Sequence, residues 1–412
     1  MGGGLMATET KRSVEQSWKL FGRAEEVIPM GTQTHSKAPR SSMRDVEPCY
    51  LVRGEGCRVW DLDGNEYIDF RNGLGPISLG YRYPAVDEAI RRQLDSGIVF
   101  SYSHPLEVEV AEELIKVLPC AEQVRFLKTG GEAMAATHRL ARAYTGRDQI
   151  LTCGYHGWIN TMSKTGVPEA TRATYTALPW GDKRPFEEFL QAHPGDVAAV
   201  SVACSYGDIE QGHQFLKDLR ELTNQYGVVL IYDEIVMGFR LRRAGAQEYF
   251  GVTPDLAVFA KGISNGVPLS CYVGNRAVMG TVQEAVISST FGGDTLGLAA
   301  AKAVLDVYAN NDVIGTIWAR GEQLHAGFNA HCRRLDVPVC FKGAAPVGQL
   351  VFDHPNSGDL FLRFNAEVLK RGLIIYSVCY TSFSHTEAII DSSVAAMGAS
   401  LEAMKNDGLF DS

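Results

Sequence analysis

Lys261 follows the apolar run Leu256-Ala-Val-Phe-Ala260, and 28 residues earlier Asp233 closes a similar run, Val228-Val-Leu-Ile-Tyr232. An amine at the end of a buried strand is costly to hold as a charged group, so its proton affinity falls. A carboxylate at the end of a nearby strand supplies the matching charge. Together they suit chemistry in which a lysine condenses with a carbonyl and an acid steadies a cationic partner. The same two residues also fit a turn lysine and an aspartate that caps the next helix, so further motifs must decide.

Three more segments bear on that choice. Leu127-Lys-Thr-Gly130-Gly131-Glu runs from an apolar strand through two glycines into a helical stretch, the arrangement that offers backbone N–H groups to a phosphate. Cys153-Gly154-Tyr155-His156-Gly157-Trp158 sets an aromatic between glycines, where a flat ring can lie on its face. Ile235 could press the opposite face. Ser288-Ser-Thr290-Phe291-Gly292-Gly293-Asp294 is a hydroxyl and glycine cluster before another helix, either a second phosphate contact or an N-cap. These are the parts that pyridoxal phosphate (PLP) needs: a Schiff-base lysine, an acid at the pyridinium nitrogen, a ring sandwich and a phosphate cradle. No Walker-type lysine follows a glycine loop, and no Gly-x-Gly-x-x-Gly closes a strand, so nucleotide readings lack their parts.

The elements that must position these residues alternate. Strand candidates at 124–127, 149–152, 197–202, 228–232, 256–260 and 270–273 are separated by helical stretches, which predicts a mainly parallel, doubly wound α/β sheet with ligands at the carboxyl ends of its strands. Residues 10–27 read as an amphipathic helix and 28–40 as a loop broken by Pro and Gly. Asp63-Gly64-Asn65 marks a hairpin within 59–70. The expected division is an N-terminal segment 1–60 that joins a small domain, a large domain 61–295 and a small C-terminal α+β domain 296–412, ending in a helix from about 387 to 404.

Composition narrows the partners. The 412-residue chain carries a formal charge of -9 and no run of like charges, which argues against nucleic acid and membrane surfaces and for a small molecule. Its nine cysteines are odd in number and never spaced Cys-x-x-Cys, so neither a disulfide framework nor a zinc site is expected, and a reducing cytoplasm is. The first ten residues lack the pattern of a signal peptide, and Met6 stands where a myristoylation signal has Ser or Thr.

In order, Gly130-Gly131, Gly154-Tyr155-His156-Gly157, Tyr232-Asp233-Glu234-Ile235-Val-Met-Gly238-Phe239-Arg240, Phe259-Ala-Lys261-Gly262-Ile-Ser-Asn265-Gly266 and Thr290-Phe291-Gly292-Gly293 resemble the class III aminotransferases of the fold-type I PLP superfamily. Within that class the chain is most similar to the glutamate-1-semialdehyde aminomutase group and its relatives that act on amino sugars in aminoglycoside antibiotic biosynthesis. The resemblance implies a homodimer with active sites shared between subunits and PLP held by Lys261, which also shuttles the proton at the substrate carbon. It further implies Asp233 at the ring nitrogen, Tyr155 and Ile235 on the two ring faces, and Gly130 and Gly131 at the phosphate. His156 would have a supporting role, and Thr290 would reach the neighbouring subunit's phosphate.

Four departures bear on substrate. Ala203-Cys204 stands where relatives carry Glu-Pro, Gly131 where they carry Ser or Thr, and Thr32-Gln-Thr-His-Ser-Lys37 where the aminomutase carries an arginine segment for a carboxylate. The arginine that receives 2-oxoglutarate in ornithine-type members has no counterpart in Tyr380-Thr-Ser-Phe-Ser-His-Thr386. A loop rich in hydroxyl, amide and imidazole groups suits a polyhydroxylated amine, because each sugar hydroxyl needs a partner on leaving water. Amine transfer on an amino sugar is therefore the expected function. The alternatives are epimerisation, an aminomutase reaction or elimination on a similar amine, and, last, a non-catalytic PLP-binding protein.

Overall fold

The computed structural model describes residues 12–159 and 165–410. The chain divides into two compact units. One gathers the residues up to Asn72, Gly80–Arg82 and Ala319 onward, and the other Gly73–Leu79 and Tyr83–Trp318.

The second unit is built on a seven-stranded sheet, in spatial order Gln123–Leu127, Ser270–Gly274, Leu256–Phe259, Val229–Asp233, Val197–Ala203, Gln149–Cys153 and Tyr175–Ala177. All neighbours are parallel except at Ser270–Gly274, which runs antiparallel to both of its partners. Its central strands are apolar without alternation because helices cover both faces. Ile231, Val258 and Tyr272 share one core with Met134, Leu140 and Ala141 of the helix Gly130–Thr145. Left-handed glycines terminate two of the long helices, Gly146 (φ 66°) after Thr145 and Gly227 (φ 62°) after Tyr226. The six expected strands are present within a residue or two. The seventh, Tyr175–Ala177, is a short edge strand whose mixed composition gave no strand signal.

The first unit holds two small sheets, Leu51–Glu55, Arg58–Asp61, Glu66–Asp69 and Leu373–Ile374 in one, and Val339–Lys342, Val347–Phe352 and Val378–Tyr380 in the other. The expected hairpin forms at Asp63-Gly64-Asn65, with Gly64 at φ 86° and the Asn65 N–H donating to Asp61 Oδ1 at 2.7 Å. Phe328, Phe341, Phe364, Met397 and Leu401 fill this unit's core. Helices span Glu15–Val27 and Glu387–Asn406; residues 10 and 11 of the expected first helix, and Met6, lie outside the described residues. The loop expected at 28–40 contains short 3-10 turns at Pro29–Gly31 and His35–Lys37.

The unit boundaries differ from those expected near 60 and 295. The hairpin stays with the first unit because Ile68 and Asp69 pair in parallel with Leu373 and Ile374. Helix Thr295–Asn310 belongs to the second unit because it packs on helices Pro84–Leu94 and Pro105–Val117 and on the Lys261–Ser264 turn. Among the described residues no helix is long and apolar enough to cross a membrane.

Ile231 is fully buried on a central strand between Ser201 and Leu256. Replacing it with Ala is expected to cost about 3 kcal/mol through lost burial and an unfilled cavity, read as a lowered urea midpoint of unfolding.

Candidate active site

Asp233 is the last residue of Val229–Asp233, and Lys261 follows the adjacent parallel strand Leu256–Phe259, in which Val258 pairs with Asp233. The amine and the carboxylate therefore leave the same edge of the sheet from neighbouring strands. Lys261 has φ 51°, a left-handed conformation uncommon outside glycine, and opens the 3-10 turn Lys261–Ser264, which ends at Asn265 (φ 47°). Local bonds hold the turn: Ile263 N–H donates to Ala260 O at 3.2 Å, the Ser264 hydroxyl to Val267 O at 2.6 Å, and Leu79 N–H to Asn265 Oδ1 at 3.0 Å. Burial pushes the Lys261 amine down to about 8, with Asp233 opposing the shift and the Arg240 guanidinium adding to it.

Arg240 is buried, with Nε donating to Val236 O at 3.1 Å and the guanidinium also meeting Gly75 O. The bend that carries it is fixed by Glu234, whose carboxylate accepts the N–H groups of Ala246 at 2.8 Å and Gln247 at 3.0 Å. Burial raises Glu234 to about 8, so it fixes the loop as a largely neutral acid near neutral pH.

Asp233 is nearly fully buried. Its Oδ1 accepts the Ile235 N–H at 3.1 Å, and its Oδ2 lies 3.0 Å from His156 Nδ1. His156 Nε2 is 3.1 Å from the Ser201 carbonyl, which can only accept, so Nε2 carries a proton. The Nδ1 to Oδ2 contact is then bridged by a second proton, and His156 is held at both ends.

The helix Gly130–Thr145 begins beside this group. Thr129 caps it by accepting the Glu132 N–H at 3.4 Å, and Glu132 reaches back to Lys128 N–H at 3.1 Å. The N–H groups of Gly130 and Gly131 have no hydrogen-bond partner among the described residues. Bare backbone is needed at this turn. A Cβ on Gly130 would come within 2.5 Å of Ile235 Cδ1, and one on Gly157 within 2.8 Å of Gly131 Cα. Tyr155, between Gly154 and Gly157 (both φ 89°), is 62% exposed.

Of the residues singled out in the sequence, Lys261, Asp233, His156, Ile235, Gly130, Gly131 and Tyr155 thus come from one edge of the sheet and its following loops. Thr290 is exposed and makes no described hydrogen bond with them. Its loop is pinned elsewhere: Asp294 caps helix Thr295–Asn310 and pairs with Lys128 at 2.6 Å, and a Cβ on Gly292 would meet Phe126 O at 2.6 Å. Ala203 pairs in register with Asp233 and lies against Gly154, so the departure at 203 falls beside the site, while Cys204 is buried. Sequence reasoning missed Ser201 and His138, which lie behind His156. A serine inside an apolar strand and a histidine on a helix face were the available signals.

A family model described as aminotransferase class-III matches residues 41–390. The chain is 30% identical to the 3-aminobutyryl-CoA aminotransferase of Cloacimonas acidaminovorans, covering 96% of this chain and 99% of that protein. It is 30% identical to the glutamate-1-semialdehyde 2,1-aminomutase of Methanothermobacter thermautotrophicus (95% and 100%). With the 2'-deamino-2'-hydroxyneamine transaminase of Streptomyces kanamyceticus it shares 32% identity (87% and 93%). Among solved structures, the FumI protein of Sphingopyxis sp. MTA144 in its PLP internal aldimine form superposes with a TM-score of 0.91 at 26% identity, covering 96% of this chain and 98% of that one.

An amine lowered to about 8 predicts one lysine that reacts early. In apoprotein treated with an acylating reagent, modification of Lys261 should rise with a midpoint near pH 8, about two units below ordinary lysines, and peptide mapping would locate it. The linked stability has the matching sign. The folded state loses its proton before the unfolded one, so stability gains between pH 8 and the ordinary lysine range, and Lys261→Met removes that gain.

Proposed function

The chain belongs to the class III aminotransferases, fold-type I enzymes whose cofactor is pyridoxal phosphate, and on that premise we propose that Lys261 and Asp233 carry its chemistry on an amino-sugar substrate. The observation that carries the residue assignment is the pairing of the two groups at the ends of adjacent parallel strands, with the amine already shifted toward its neutral form.

The residues fit the cofactor. Gly130 and Gly131 offer a helix N-terminus for its phosphate, and a Cβ on Gly130 would strike Ile235. Asp233 is kept in place by His156 and by the Ile235 N–H, and suits the ring nitrogen. Tyr155 and Ile235 supply the two ring faces. When bound, PLP provides an electron sink for the carbon that bears the amine.

The rest is the protein's work. Lys261, neutral in a good fraction of molecules near pH 8, can attack a carbonyl without first losing a proton to solvent. With the cofactor in place, the Lys261 Nζ would take the proton from the substrate carbon and return it elsewhere, a general acid and base near working pH. His156 on Oδ2 and the Ile235 N–H on Oδ1 would hold the Asp233 carboxyl in position for the ring nitrogen. The left-handed turn at Lys261 holds Nζ on the sheet edge through these exchanges.

An amino sugar is supported by the Streptomyces kanamyceticus relative and by the hydroxyl, amide and imidazole groups of Thr32–Lys37, where no arginine awaits a carboxylate. The other relatives act on different amines by name, so the substrate rests on this reading. We also infer a cytoplasmic homodimer in which Thr290 serves the neighbouring subunit's phosphate. Its exposure and the exposed apolar side chains of Ile98, Val99, Phe100 and Phe291 support this. Epimerisation or elimination is the second reading, favoured by Ala203 in register beside Asp233 where relatives carry a carboxylate.

Absorption spectra of wild type and Lys261→Ala, before and after a panel of amines including neamine-type aminoglycosides and glutamate, test these assignments. The expected result is a cofactor band in wild type that an aminoglycoside converts to the pyridoxamine form, and at least a hundredfold loss of turnover in Lys261→Ala. A band that persists while deuterium enters or water leaves the substrate would favour the second reading. No band with added PLP would overturn both.

A further inference from the structure

Behind Asp233 a chain of polar contacts continues into the helix that offers the phosphate cradle. Ser201, fully buried in Val197–Ala203, holds two rings at once. Its carbonyl accepts His156 Nε2–H at 3.1 Å, and its hydroxyl lies 3.1 Å from His138 Nε2. His138 is buried on Gly130–Thr145, eight residues after Gly130, and meets His156 edge to face with centroids 6.2 Å apart. Its other nitrogen, Nδ1, is 3.4 Å from the Tyr175 hydroxyl on the neighbouring edge strand, and Arg142 lies over the Tyr175 ring at 5.0 Å. The charged and titratable groups around His138 are therefore His156, Tyr175 and Arg142, with Ser201 as its neutral partner. Burial first, then His156 and Arg142, keep His138 uncharged. An imidazolium there would stand against the ring that shares a proton with Asp233.

We infer that Ser201 and His138 are positioning residues that tie the helix carrying Gly130 and Gly131 to the His156–Asp233 pair, so that the two ends of the cofactor grip keep a fixed spacing. This rests on the PLP reading above. Two sites that hold one rigid ligand at opposite ends gain affinity only when their separation matches it, since otherwise binding must meet the cost of adjusting one of them. The Ser201 to His138 bond joins the central strand to the helix directly, in addition to apolar packing that can slide. Because His138 is neutral, the joint brings no charge to compete with the proton between His156 and Asp233.

The test uses holoprotein of wild type, Ser201→Ala, His138→Phe, the double variant and His138→Gln, whose amide can still meet the Ser201 hydroxyl. Equilibrium dialysis gives the Kd for PLP, and a pH titration of the bound cofactor's absorption gives its midpoint. Ser201→Ala and His138→Phe should each weaken PLP about fivefold and move the midpoint by about half a unit, because Asp233 is less firmly held at the ring nitrogen. The double variant should be no worse than either single change, as expected of one chain, and His138→Gln should recover most of the loss. Unchanged Kd and midpoint would overturn the inference. So would additive effects, or a weaker Kd with an unmoved midpoint, the mark of general loosening. If one variant fails to fold, the other decides by the same two readouts. A wild type that binds no PLP would instead count against the aminotransferase reading, not against this linkage.

Discussion

The cost of keeping an amine out of water governs this protein. Lys261 can be partly buried only because Asp233 stands on the next strand, and its proton is loosely held only because burial and Arg240 outweigh that carboxylate. Were desolvation alone at work, the lysine would be neutral but adrift. Were Asp233 alone at work, the amine would be a tight ammonium and a poor nucleophile. The balance depends on strand register, since a slip of one residue would turn either side chain to the other face of the sheet. The apolar faces of the central strands are what fix that register.

Much of this was legible in the chain. Runs such as Val228–Tyr232 and Leu256–Ala260 are too apolar and too short for anything but buried strands, and a polar residue at the end of each marks the edge at which ligands gather. Gly130, Gly131, Gly154 and Gly157 could be read as a place where backbones approach closely, and at Gly130, Gly154 and Gly157 the structure shows the distances that exclude a Cβ. What could not be read is which polar groups meet behind the edge. Ser201 and His138 are 63 residues apart and touch only because one strand and one helix pack together. The unit boundaries were hidden for a similar reason. Helix Thr295–Asn310 follows the last sheet strand in sequence, and only its contacts with Pro84–Leu94 and Pro105–Val117 show where it belongs.

Strain and acidity gather in the turns that hold the site, Lys261 among them. Phe239, Lys261 and Asn265 all take left-handed backbone conformations in neighbouring turns, and each such residue costs of the order of 1 kcal/mol or more. Fully buried Phe239, whose carbonyl accepts the Tyr308 hydroxyl at 2.6 Å, and the bonds around Glu234 and Asn265 offset that cost. Glu234 follows Asp233 directly, yet its oxygens face away to cap a short helix, so two adjacent acids have different tasks, and burial raises Glu234. Neighbours in sequence have been separated by environment.

The antiparallel strand Ser270–Gly274 has a bearing on the order of assembly. Among the described residues it is the only sheet partner of Gln123–Leu127, the edge strand that leads into the Gly130–Thr145 helix. During synthesis that strand has nothing to pair with until residues near 274 have left the ribosome, almost 150 residues later. The helix Gly130–Thr145 is made early but seated late, after the strand before Lys261 is in place. The emerging chain thus completes this edge of the sheet only after the strand that leads to Lys261 has been made.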